Sequence, residues 1–297
     1  MRKKFGAAAL DIVFGLVVGY LFLDKITGWA LNNAFLQSRF SDLVLCLVPE
    51  AIAIAVLILY IRLLAEAELK DYYLGGAPKL RWFIFGILSA ALYAGVVLLV
   101  LPGDWTVHAG ESLVSSVLSA VWRNVKIYLI NGACLPAVIY AGIFYGALRR
   151  RMSLPAALIG VWALAAVLEH AGFDSAFDIA MWAFLGIWAA ALSMIAEYTG
   201  SVWSAVLYDA ALEILLRGRT LFSFVCSYTP PHPYDVNILF YHQAANPNRA
   251  LNRLMIGMIV IDSVPIAIIH LLLIAYLYAK IRKREAGSMT GQKSAAA

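Results

Sequence analysis

Eight apolar runs, separated by short polar or basic stretches, dominate the chain: 5–23, 43–64, 82–101, 127–148, 154–171, 177–196, 201–216 and 254–279. A helix needs about 20 apolar residues to cross a hydrocarbon core of roughly 30 Å. The pattern therefore predicts an all-α polytopic membrane protein of about eight transmembrane helices. The first run follows "MRKK" and resembles a signal peptide in its flank. It is too long for a cleaved apolar segment and lacks a small-x-small cleavage site, so it is read as a retained anchor.

The interruptions carry the organisation. Residues 102–126 end in "SSVLSAVWRNVK", whose apolar spacing suits a helix lying along the membrane interface. Residues 217–253 contain "SYTPPHPYDVN" and "NPNRALNR", and prolines at 230, 231, 233 and 247 forbid one continuous helix there. Loops of such length commonly serve as lids or partner-binding segments, which points to a membrane protein or peptide as partner. The tail "EAGSMTGQKSAAA" has the small, polar composition of a disordered end. Four regions result: two N-terminal helices and a loop (1–81), a helical core (82–216), an extracytoplasmic loop (217–253), and a last helix with its tail (254–297).

Composition removes the soluble classes. The chain is 63% hydrophobic and 14% charged, with mean hydropathy +0.81, against about 45–50% apolar and about 25% charged residues in soluble domains. Its partner is the lipid bilayer. The net charge of +5 does not indicate nucleic acid, because basic residues of multi-pass proteins collect in cytoplasmic loops. With the N-terminus inside, 15 of the 23 Lys and Arg fall on the inner side and 8 on the outer. Both termini are then cytoplasmic; one span more or fewer would misplace "RRR" (149–151) or "KIRKR" (280–284). The expected location is a bacterial or archaeal inner (plasma) membrane. Cys46, Cys134 and Cys226 are widely spaced, with no CxxC or Cys/His pattern, which excludes a zinc ribbon or redox motif.

Candidate chemistry lies in the ionisable residues inside the runs: Asp11, Glu50, Glu169, His170, Asp209, Glu213, Asp262 and His270. An Asp at a helix centre costs about 2.5–3.5 kcal/mol on insertion scales, so such groups face the bundle interior and find partners. Asp209 and Glu213 stand one turn apart on one face, with Cβ atoms about 5–6 Å apart. Two carboxylates that close in low dielectric require a shared proton, a basic group or a metal. With His170 and Glu169 at the outer end of the fifth run, they form a candidate catalytic set, and His170, Asp209 and Glu213 a candidate set for a divalent metal. Interhelical hydrogen bonding and a proton or cation path are the other readings of the same residues. Asp11 and Glu50 read as single polar contacts. Asp262 and His270 flank Pro265, which is expected to kink the last helix. No GxSxG, HExxH, Walker or GxGxxG motif is present.

The order of features between residues 60 and 215 resembles the CPBP (CAAX protease and bacteriocin-processing, or Abi) family of intramembrane proteases. The resemblance rests on "YGALRRR" (145–151), "LAAVLEHAG" (164–172), "EYTGSVWSAVLYDA" (197–210) and "LKDYYLGGAPKLRW" (69–82). It implies a CPBP-like helical core in which a glutamate activates water for peptide hydrolysis and histidines hold it or a metal. Transferred onto this chain, the family's glutamate pair falls on Pro136 and Ala137 and its arginine on Ala141. Its second-motif histidine is kept as His170, and its third-motif histidine and asparagine fall on Asp209 and Glu213.

Three functions follow from that frame. A catalytically degenerate member would act as a membrane scaffold, chaperone or sensor. An active protease would use a rebuilt site in which Asp209 or Glu213 is the base and His170 with Glu169 orients it. A transporter would pass protons or cations along the acids.

Overall fold

The computed structural model describes residues 2–65, 67–100, 104–107, 121–122, 124–125, 128, 134–168, 176–216, 226–229 and 264–286. Helix α1 (Arg2–Gly19) continues into a π-helical segment, Tyr20–Ile26, and two short helices follow, α2 (Thr27–Asn32) and α3 (Ala34–Arg39). The short helices occupy the polar gap between the first two apolar runs, where no element is expected. Asn33 starts α3 as an N-cap, its side chain accepting a hydrogen bond from the Leu36 N–H at 3.2 Å. Next come α4 (Asp42–Leu63), a 3-10 turn at Leu69–Tyr72, and α5 (Arg81–Val100).

The later helices are α6 (Leu135–Arg149), α7 (Leu154–Leu168), α8 (Ala176–Thr199), α9 (Val202–Leu216) and α10 (Val264–Ala286). Seven of the eight expected runs thus coincide with a helix to within a few residues or contain most of one. The last is helical from Val264 onward. By length and composition, three helices among the described residues are able to cross a membrane: Asp42–Leu63, Trp182–Thr199 and Val264–Ala286. Arg81–Tyr93, Leu135–Arg149 and Leu154–Ala165 are shorter apolar helices.

The departure from an all-α fold is a two-stranded ribbon, β1 (Asp104–Val107) with β2 (Cys226–Thr229). The strands are antiparallel, with Asp104 opposite Thr229 and Val107 opposite Cys226. They join the two segments, 102–126 and 217–253, that the sequence reading treats as separate. Pairing supplies the backbone acceptors that an isolated extended segment would lack.

Helix α6 is the centre of the bundle. It opens with one α-turn (Leu135–Ala137), widens to a π-helix (Val138–Phe144), and closes as an α-helix at Tyr145–Arg149. Every residue from Ala137 to Leu148 is buried, and α1, α4, α7, α8 and α9 all touch it. The π segment has a geometric effect. A 3.6-residue turn would set Tyr140 and Tyr145 about 140° apart, whereas i→i+5 bonding draws such residues toward one face. Both meet α8: Tyr140 stands edge-on to Trp188 at 5.5 Å between centroids, and the Tyr145 hydroxyl reaches Glu197 at 3.2 Å.

Apolar side chains face outward along the rim. Leu10, Val13 and Val17 on α1, Ile84, Phe85 and Leu88 on α5, and Leu271, Leu272 and Tyr276 on α10 are all exposed. Large apolar side chains repeated on successive turns of the outer helices suit contact with lipid tails.

Helices α5 and α9 pack closely, and Gly86 permits it. A Cβ at that position would lie 2.5 Å from the Tyr208 carbonyl oxygen and 2.7 Å from the Ala211 Cβ. Both obstacles are backbone or backbone-fixed, so the helices would have to separate. Gly86→Ala is expected to destabilise the bundle by about 1–3 kcal/mol, the usual range for overpacking. Gly95→Ala on the same helix meets nothing within 4 Å and should be neutral or slightly stabilising. Thermal unfolding of both variants in one detergent measures the difference.

Candidate functional site

The acids of the bundle fall into two groups, one around the start of α6 and one around its end. At the start, Glu50 projects from α4, 6% exposed. Its Oε1 accepts hydrogen bonds from the backbone N–H groups of Cys134 at 2.5 Å and Leu135 at 2.8 Å. A helix N-terminus has unpaired N–H groups and a partial positive charge, and both favour a carboxylate there. Glu50 therefore caps α6 from a different helix. It is more than the single polar contact expected of it.

Asp209, on α9, is 3% exposed and accepts a hydrogen bond from the Trp188 Nε1–H at 2.7 Å. Glu213 follows one turn later and is half-buried. Tyr128, itself buried, lies within electrostatic range of Asp209, Cys134, Glu213 and Glu50. The three acids thus share one neighbourhood with a phenol and a thiol. The pairing of Asp209 with Glu213 is legible in the sequence; the arrival of Glu50 beside them from α4 is not.

Glu169, His170 and Asp262 lie outside the described residues. Among the described residues, no three His, Cys, Asp or Glu side chains are grouped to hold a metal ion. Glu50 accepts hydrogen bonds from backbone N–H groups and Asp209 from an indole N–H. His270, 3% exposed, has its ring 5.9 Å from that of Tyr208, and its Nε2 has no hydrogen-bond partner among the described residues.

At the other end of α6 the three arginines of "RRR" go to three different places. Arg149 donates from Nε to Glu197 at 3.1 Å and from Nη2 to Glu285 at 2.9 Å. Glu197 also accepts from the hydroxyls of Tyr73 and Tyr145. Arg150 stacks over the Tyr72 ring at 5.3 Å and donates to its hydroxyl at 2.9 Å. Arg151 stands 3.9 Å from Asp11. Asp11 in turn accepts from Tyr60 and Tyr72, both at 2.8 Å. The single contact expected of Asp11 is a junction of α1, α4, the 69–72 turn and the end of α6.

The segment "LKDYYLGGAPKL" is fastened to the start of α9. Val202 N–H donates to the Tyr73 carbonyl at 2.8 Å and Trp203 Nε1–H to that of Leu74 at 3.1 Å. Ser201 Oγ donates to the Gly76 carbonyl at 2.8 Å, and Lys79 N–H to Ser204 Oγ at 3.1 Å. Gly200 carries φ +72°, the left-handed conformation that ends a helix and that glycine adopts without strain. "TGS" is thus the hinge between α8 and α9 and the dock for the 69–79 segment.

Comparison of the chain with models of protein families, with curated proteins and with solved structures gives no match.

Burial holds the Tyr72 and Tyr73 hydroxyls above the ordinary value of 10.0; the hydrogen bond to Asp11 adds to this at Tyr72, and the charge of Glu197 at Tyr73. A proton bound more tightly in the folded state contributes stability that is fully present below the unfolded value and is lost as pH rises above it. Melting temperature should therefore hold steady from about pH 8 to about pH 10 and fall beyond it. Tyr73→Phe should soften that alkaline fall, at the cost of the Glu197 hydrogen bond, about 1.5–3 kcal/mol for a charged acceptor. Asp11→Ala should cost more than Tyr73→Phe at neutral pH, because it orphans two buried hydroxyls at about 1–3 kcal/mol each.

Proposed function

We propose that this chain is an integral membrane protein on a CPBP-like helical core that does not hydrolyse peptides and serves as a membrane scaffold for a protein or peptide partner. The observation that carries the reading is the state of α6. Ala137 and Ala141, where the resembled family keeps a glutamate and its arginine, are fully buried. They sit within the main apolar cluster. Neither side chain can activate water, and both positions are closed off by apolar packing among the described residues. The helix packs and does not react.

The nearby acids support the same reading. Glu50 is occupied by two backbone N–H groups and Asp209 by an indole N–H. A general base needs a lone pair directed at the proton it removes, within about 2.6–3.2 Å. The partner is expected at the 217–253 loop, whose described part, β2, is held by β1.

A rebuilt protease site draws support from one observation, the shared neighbourhood of Glu50, Asp209, Glu213, Tyr128 and Cys134. The two readings separate in a single assay. Purified protein in liposomes is mixed with single-span membrane peptides across a range of pH and divalent metals, and products are read by mass spectrometry. The scaffold reading expects no cleavage, and expects Glu50→Gln and Asp209→Asn to lower the melting temperature. Cleavage abolished by Asp209→Asn in a variant that still folds would overturn it in favour of the rebuilt site.

A further inference from the structure

At the basic end of the bundle two guanidinium groups from different helices converge on one ring. Arg81, the first residue of α5, lies 5.8 Å from the centroid of Tyr198, and Arg284 of α10 lies 4.2 Å from it. Arg284 also donates to the Tyr198 carbonyl at 3.1 Å, and Lys79 donates to the next carbonyl, Thr199, at 2.9 Å. Three cations therefore surround the C-terminus of α8.

A helix C-terminus accounts for part of this charge, but its dipole is equivalent to only about half a negative charge. Among the described residues, no carboxylate pairs with the remaining charge. Glu197 is bound by Arg149, Tyr73 and Tyr145, and Glu285 by Arg149 and Arg282. Neither Lys79, Arg81 nor Arg284 has an ion pair among the described residues. Trp82, edge-on to the same Tyr198 ring at 6.3 Å, has a buried indole N–H with no acceptor there. Beyond the Tyr198 and Thr199 carbonyls, the donors of this neighbourhood outnumber its acceptors among the described residues. All three cationic side chains are exposed while Tyr198 is half-buried, so the excess faces outward.

The surface beside the cations is apolar. Ile84 and Leu88 are exposed one turn apart on α5, and Leu80, just before the helix, is exposed as well. Helix α10 carries exposed Leu272 and Tyr276. Both helices pack on Tyr208 of α9, through Trp82 and His270, so they flank the same side of the bundle. A phosphate held by two arginines at the end of an apolar track has the chemistry of one lipid headgroup with its acyl chains.

We propose that Arg81, Arg284 and Lys79, arranged around Tyr198, bind the phosphate of an anionic phospholipid whose acyl chains lie along α5 and α10. Guanidinium groups suit phosphate because their fork of donors matches two of its oxygens. The site is independent of whether the bundle hydrolyses peptides.

The test is native mass spectrometry of the full-length protein released from detergent with phosphatidylglycerol or phosphatidylcholine at matched concentration. The wild type should retain phosphatidylglycerol preferentially. Arg81→Gln or Arg284→Gln should each weaken that preference about five-fold, and the double variant about twenty-five-fold. Lys70→Gln, which removes an equal charge from an exposed pair with Glu68, should leave it unchanged. Should the double Gln variant fail to fold, Arg81→Lys with Arg284→Lys keeps the charges but loses the fork. That pair should still weaken retention several-fold. Retention equal to wild type in any folded arginine variant overturns the site. Loss of phosphatidylglycerol to millimolar inorganic phosphate as readily as to added lipid overturns the lipid assignment and leaves a site for free phosphate.

Discussion

A helix that is buried on every side can carry polar chemistry only at its ends, and α6 is such a helix. Its flanks contact five neighbours and are mostly apolar, so its first N–H groups and its last side chains find their partners on other elements. Glu50 reaches in from α4 to satisfy the start. Arg149, Arg150 and Arg151 reach outward from the end to Glu197, Tyr72 and Asp11. The remaining helices are positioned by these two sets of contacts as much as by apolar packing. Apolar packing in lipid is weakly directional, because lipid tails are as apolar as leucine.

This division explains why the two ends differ. At the start of α6 the acids outnumber the bases among the described residues, and Glu50 and Asp209 accept hydrogen bonds from backbone and indole donors. At the end, arginines predominate and the acids are shared between them. The acid-rich end is the one that the resemblance to intramembrane proteases marks as catalytic. The arginine-rich end, read from the sequence only as an orientation signal, holds most of the side-chain hydrogen bonds between helices among the described residues.

The helical runs were legible because about 20 consecutive apolar residues need no knowledge of neighbours to be recognised. That buried acids must have partners was legible for the same reason. The partners themselves were not. Tyr60 and Tyr72 lie 49 and 61 residues from Asp11, and Tyr60 sits in an apolar run where it reads as packing. Cys134 lies 84 residues from Glu50 and contributes a backbone N–H, which no side-chain pattern encodes. Glu197 falls one residue beyond the run at 177–196 and so escapes a count of acids within runs, although it accepts three hydrogen bonds. The π segment is equally hidden, since nothing in "VIYAGIF" departs from an ordinary helical pattern. The ribbon of β1 and β2 pairs strands 122 residues apart, a separation that local propensity does not reach.

The Asp11 junction also constrains how the chain is made. Translation produces Asp11 well before Tyr60 and Tyr72, and long before Arg151. Until those residues emerge, the Asp11 carboxyl lacks the partners that enclose it. Docking of α1 therefore waits on α4, the 69–72 turn and the end of α6. Because the junction reaches from Asp11 to Arg151, docking of α1 reports on the integrity of everything translated between them.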